Sequence, residues 1–203
     1  MREICAVAML IGGLYVGGVA QDTTPKPKIS DEPLTADQIA VYRTVLQEYT
    51  KGSDGALNLA NRTEPLERSE LDEECIKGIE LELKTPVPVV HKLPSVAFGP
   101  KIVEVDSDRQ EQQVKENDPQ KLLKSAIDDH EPVTNRQLED SVKKAFATGL
   151  FSLSEIEFDK QHTRAVVAYS FVCGGLCGNG NTLVLKKVGQ KWKVSKRCGG
   201  WVS

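Results

Sequence analysis

The spacing of apolar residues changes period near residue 150, and that change divides the chain into a helical part and a sheet part. Ile39, Tyr42, Val45, Leu46 and Tyr49 recur three or four apart and form one stripe of an amphipathic helix. Thr35 with Gln38 makes a capping box ahead of it, Leu34 and Ile39 have the spacing of a hydrophobic staple, and Lys51-Gly52 predicts its end. Residues 53–68 read as loop with a short apolar piece at 56–60. Ser69 with Asp72 then predicts a second helix carrying Leu71, Cys75 and Ile79 on one face, which turns Cys75 inward.

Pro86, Pro88, Pro94 and Pro100 break 85–100 into extended pieces, and Lys101 to Val105 reads as an edge strand. Residues 106–118 are nearly all polar and read as an exposed loop or frayed helix. Asp118-Pro119 starts a helix with Leu122, Leu123, Ala126 and Ile127. Thr134 with Gln137 caps another, through Leu138, Val142, Ala145 and Phe146 to Gly149.

Beyond Gly149 the period is two. Leu153 to Phe158 is a short strand, followed by a turn at Asp159 to His162. Ala165, Val167, Tyr169, Phe171 and Cys173 alternate along the next strand, whose other face carries Val166, Ala168, Ser170 and Val172, so both faces are expected to be partly covered. Gly174 to Asn181 reads as a wide glycine-rich turn, Thr182 to Val188 as a returning strand, and Lys191 to Cys198 as the last strand, with Trp192 and Val194 on one face. The expected fold is α+β: amphipathic helices packed on a C-terminal antiparallel meander of about four strands.

The amino end adds an address. Arg2, an uncharged and mostly apolar run from Ile4 to Ala20, and the small residues Gly18-Val19-Ala20 have the form of a cleaved export signal. Residues 1–20 are thus read as the signal, 21–33 as a polar, proline-bearing flexible leader, and 34–203 as one domain in the periplasm or outside the cell. No second stretch of the sequence is apolar enough to span a membrane after cleavage.

Export changes the meaning of the cysteines. With Cys5 in the signal, Cys75, Cys173, Cys177 and Cys198 remain, an even set in an oxidising compartment, and two disulfides follow. A meander returns to the same end every second strand, so Cys173, Cys177 and Cys198 are expected at one end of the sheet. The favoured pairing is Cys173–Cys177 with Cys75–Cys198, and Cys173–Cys198 with Cys75–Cys177 stays open. Four-thiolate zinc is the weaker alternative because Cys75 and Cys198 form no second tight pair. A redox-active Cys173/Cys177 pair is weaker too, with three intervening residues in a hairpin.

Other chemistry is sparse. His91, His130 and His162 are scattered, and the adjacent Asp128, Asp129, His130 and Glu131 point in different directions on a helix end. Ser170 lies on a strand without a nucleophile elbow, and the glycines after Cys173 lack a phosphate-loop ending. No cofactor or metal is called for.

The formal net charge of −3 excludes a globally basic nucleic-acid binder. Residues 64–82 are strongly acidic, whereas Thr182 to Ser203 carries Lys186, Lys187, Lys191, Lys193, Lys196 and Arg197 and no acid. By alternation Lys193 and Arg197 share a strand face, and Lys186, Lys191, Lys193 and Arg197 form a candidate anion-binding surface for a polyanionic glycan or an envelope component.

The stretch from Leu153 onward resembles the end of a group of uncharacterised secreted bacterial proteins. The likeness rests on Ser154 with Phe158, Asp159-Lys160, the Cys173 to Gly178 turn, Gly189 to Trp192, and Trp201-Val202-Ser203. It implies export and an α+β fold and brings no activity with it. The function expected is an exported, disulfide-stabilised binding or envelope-structural domain, with an extracytoplasmic hydrolase built from scattered residues as the alternative.

Overall fold

The computed structural model describes residues 27–66, 71, 73–81 and 88–203. The export signal, residues 21–26 of the leader and the Ser69–Asp72 capping pair lie outside the described residues. In chain order the elements are β1 (Lys28–Ser30), α1 (Ala36–Tyr49), β2 (Leu57–Ala60), α2 (Glu73–Ile76), β3 (Val89–His91), β4 (Ile102–Val105), α3 (Ser107–Glu116), α4 (Pro119–Asp129), α5 (Asn135–Thr148), β5 (Leu150–Leu153), β6 (Glu157–Phe158), β7 (Arg164–Gly174), β8 (Cys177–Val188) and β9 (Lys191–Val202).

The meander is present: β5 and β6 pair end to end along one edge of β7, and β8 and β9 follow, all antiparallel. β2 joins at β5 and β4 at β2, both parallel, giving the order β4-β2-β5-β7-β8-β9. β4 is the edge strand the sequence predicts. Lys28–Ser30, within the stretch read as leader, pairs in parallel with β3 as a separate ribbon.

Helices cover both faces of the sheet. On the front, α1 starts at the Thr35 capping box and buries Val41, Tyr42, Val45 and Leu46. They pack against Leu59, Phe151, Leu153, Val167, Leu183, Leu185 and Trp192. Its first turn is tied to the sheet, since Lys187 Nζ donates to both Asp37 oxygens at 2.8 Å and Trp192 Nε1 to one of them at 3.2 Å. On the back, Leu66, Leu71 and Cys75 cover Val166, Val184 and Cys198. At the other half of the back, Val114 of α3 covers Ala60 and Leu150.

One expectation is settled and two need correction. Of the two readings of 106–118 the helix is the one present, packed and not frayed: Asp106 caps α3 by accepting from Arg109 N, and Gln110 is buried with its side chain donating to Thr148 O at 2.6 Å. A polar segment can form a packed helix when its inward groups find partners. The turn after Cys173 is not wide, since β7 and β8 run to Gly174 and Cys177 and only Gly175-Leu176 turns between them.

The second correction concerns the cysteines. Cys75 bonds Cys198 and Cys173 bonds Cys177, but Cys198 does not end its strand. β9 continues to Val202, with Cys198 opposite Thr182, about 16 Å along β8 from Cys177 at ~3.3 Å per residue. Register shifts in β9 fall at Ser195 and Gly199, each an extra residue against β8. Gly199 takes φ +55°, a left-handed conformation that glycine adopts without penalty. The Ser195 bulge breaks the alternation, so Cys198 faces back toward Cys75 while Cys173 belongs to the front core.

Candidate functional site

Between the two covered halves of the back face lies an open strip of sheet. Ser152 of β5 pairs with Ser170 of β7, Ser170 with Gly180 of β8, and Gly180 with Trp201 of β9. Partners in a ladder share a face, so this row crosses the sheet with two hydroxyls, a bare backbone and an indole. Side chains this small leave room above them. Two pockets lie here, about 390 Å³ beside α3 and about 180 Å³ beside Trp201, and Glu64, Ser152 and Ser170 line both; together they make the back-face cleft.

Each wall stands next to a cystine. Toward α3 the wall is Glu111, Val114 and Lys115, closed by Asp118 and the Gly174-Gly175 turn. Asp118 Oδ1 caps α4 by accepting from Gln120 N, and its Oδ2 accepts from Gly175 N at 2.8 Å, so α4 is fastened to the Cys173–Cys177 turn. The opposite wall is Pro65, Leu66 and Leu71. It packs on Cys75, whose disulfide to Cys198 crosses from α2 to β9.

Among the described residues Ser152, Ser170 and Thr182 make no side-chain hydrogen bond, so their hydroxyls remain available to a ligand. The Ser154 hydroxyl is engaged, accepting from Ala168 N and donating to Glu155 O, both at 2.8 Å. Among the described residues Glu64, Glu111 and Asp118 outnumber Lys115 around the larger part of the cleft.

The residues singled out from the sequence do not assemble into one centre. Lys186 lies opposite both Arg164 and Lys193, and Lys191 opposite Val188, all near the β8–β9 turn. Arg197 is separated from them by the Ser195 bulge. It lies opposite Leu183 of the front core, and its Nη2 is 2.9 Å from Glu48 of α1. In the ladder Lys193 and Arg197 thus stand on different faces, yet both line a pocket of about 460 Å³ beside Glu48 and the Ser195 bulge.

His130 caps α4 at φ 58°, exposed, with Nδ1 3.2 Å from Asp128 O. His162 is exposed in the β6–β7 turn and stacks on Phe158 at 4.9 Å. Neither contributes to the walls of the cleft. Every one of the four sulfurs is bonded to another, which leaves no thiolate for the four-thiolate zinc alternative. Among the described residues no group of three or more His, Cys, Asp or Glu side chains is arranged to hold a metal ion.

Sequence reasoning missed most of this site. Gly178 and Gly180 read as turn residues, yet they lie in β8 beneath the Trp201 ring, where a Cβ on Gly178 would stand 3.0 Å from it. The Gly-x-Gly repeat with a nearby unassigned Trp was the available signal. Among the described residues no helix is long and apolar enough to cross a membrane. Comparison of the chain with protein-family models, with curated proteins and with solved structures finds no match to any of them.

Proposed function

We propose that this protein is an exported binding domain whose ligand occupies the back-face cleft. The observation that carries the reading is the bracing of that cleft, which has one disulfide beside each wall and a floor of small side chains. A site whose walls are already fixed loses little conformational freedom on binding, and that preorganisation favours affinity. The larger part of the cleft also lies within the ~300–1,000 Å³ common for ligand sites.

The test is a thermal-shift screen of the mature chain with uncharged oligosaccharides, polyanions and short peptides, repeated on Ser170→Trp, which fills the floor. A ligand that stabilises the native chain and not the filled variant supports the reading. Stabilisation that survives Ser170→Trp, or none with any class, overturns it. Export is tested separately, by sequencing the amino terminus of the protein recovered outside the cytoplasm, where Gln21 is the expected first residue.

A second reading is favoured by the row Arg164–Lys186–Lys193 across three adjacent strands. With Lys191 it would take a polyanion at the hairpin, and exposed charges attract over about 8 Å at 0.15 M salt. Retention on immobilised heparin should then fall steeply with salt and be lost in a charge-reversed Lys186, Lys191 and Lys193 variant. Equal retention of both folded forms at low salt rejects that surface.

A further inference from the structure

We infer that the cleft takes an uncharged oligosaccharide, one pyranose ring of which stacks on Trp201; the inference rests on the binding-cleft reading above. The indole of Trp201 lies against the backbone of β8. A Cβ on Gly178 would stand 3.0 Å from its Cζ3 and one on Gly180 2.7 Å from its Cε2, so both positions must lack a side chain for the ring to lie there. One face of the ring is thus held on the strand, and the residue remains 46% exposed, whereas Trp192 is 5% exposed in the core. A flat aromatic surface held open to solvent offers an apolar, flat partner a favourable place to stack.

The surroundings decide what that partner is. Ser170 and Thr182 line the same part of the cleft as Trp201, Ser152 follows one strand further, and Glu64 stands on the rim. A purely apolar ligand would strip water from these hydroxyls and give nothing back. Among the described residues a polyanion or a nucleotide phosphate would meet Glu64, Glu111 and Asp118 against Lys115. A pyranose matches both halves of the site. Its C–H face covers the indole, and its equatorial hydroxyls reach the serines and the carboxylate, which accepts from two neighbouring hydroxyls at once. The cleft continues from Trp201 over Ser152 and Ser170 toward the cystine turn, which leaves room for further rings of the same chain.

The experiment titrates the mature protein with cellohexaose, chitohexaose and maltohexaose, and with a heparin hexasaccharide and a short peptide pool for comparison, following tryptophan emission and calorimetric heat. At least one uncharged hexasaccharide should shift the emission to shorter wavelength, with affinity nearly unchanged between about 0.05 and 0.5 M salt. Trp201→Ala should weaken it by roughly tenfold or more and Trp201→Phe by less, with unfolding midpoints unchanged. Ser170→Ala should weaken it by a few-fold. Binding of an uncharged sugar that ignores Trp201→Ala overturns the stacking. Binding of the heparin fragment or a peptide alone, abolished by Ser170→Trp, overturns the sugar while leaving the cleft as a binding site. Indifference of every ligand to Ser170→Trp overturns both.

Discussion

The Nδ1 of His91 lies 3.0 Å from each carboxylate oxygen of Glu155, with the two side chains only 16% and 9% exposed. The backbone N–H of His91 donates to the same carboxylate at 3.0 Å and to Thr63 Oγ1 at 2.8 Å, and the Thr63 hydroxyl donates to Glu155 in turn. The cluster joins the β1–β3 ribbon to the segment between β5 and β6. Tyr42 reaches the same place from α1, its hydroxyl donating to Ser154 O at 3.0 Å. Removing the carboxylate leaves the buried groups that donate to it without a partner. Glu155→Ala should therefore cost about 1–3 kcal/mol in urea unfolding, with Glu155→Gln intermediate because its carbonyl still accepts. A loss under about 1 kcal/mol would mean that solvent replaces the carboxylate.

The two disulfides should differ in weight. Cys75–Cys198 spans a sequence separation of 123 and Cys173–Cys177 one of 4. In the chain-entropy account these restrict the unfolded chain by about 5 and about 2 kcal/mol respectively. Paired Cys→Ala variants, compared by urea unfolding without reductant, should show the long-range cystine costing the more. The reverse order would place the main effect of these bonds in the native state.

Acid should weaken the fold through Asp159 and Asp37. Burial pushes the Asp159 carboxyl up, but the N–H groups of Arg164 and Thr163, the Thr163 hydroxyl and the Arg164 charge together hold it below the ordinary value. The Lys187 ammonium hydrogen bond lowers Asp37, with burial opposing and Trp192 Nε1 assisting. A carboxyl lowered on folding contributes fully above its unfolded value of about 3.9 and loses that contribution as pH falls through the folded value. Asp159→Asn should be less stable than the parent by roughly 1–3 kcal/mol at pH 7, and the gap should narrow below about pH 4. A gap that stays constant down to pH 2 would remove Asp159 from the acid transition.

Gly180 holds the space under Trp201, so Gly180→Val should lift the indole off the strand. Because Trp192 is buried, the added exposure should appear as a red shift and stronger acrylamide quenching of the Trp201 emission. An unchanged spectrum in a folded variant would show that the ring already sits clear of β8.

Legibility followed how local the determinants are. The α1 and α5 boxes, Thr35 with Gln38 and Thr134 with Gln137, were readable because the hydrogen bonds span three residues. The helix at 107–116 was not, since its inward side is Ser107 and Gln110 besides Val114, and only Asn61 and Thr148, far along the chain, satisfy those polar groups. Nor did alternation reveal the facing of Cys198 and Arg197, because one extra residue at Ser195 reverses Lys196, Arg197 and Cys198 before the second extra residue at Gly199 restores the alternation. The cleft depends on which parts of the back face the helices leave bare. Ser152 and Ser170 therefore looked like unremarkable strand residues until α3 and the Leu66–Leu71 side were in place.

The positions of the cysteines also set a timetable. Cys173 and Cys177 flank a tight hairpin and come within reach as soon as β7 meets β8, an event on the scale of microseconds that leaves only the slower sulfur chemistry to wait for. Cys75 meets Cys198 only after β9 has docked with the Ser195 bulge in register, since otherwise the sulfur faces α1. During oxidative refolding the short loop should thus lock first and the helix-to-sheet bond last. The wall formed by Leu66 and Leu71 would then be the final part of the molecule to become rigid, and a chain halted with one disulfide would have its cleft open on one side.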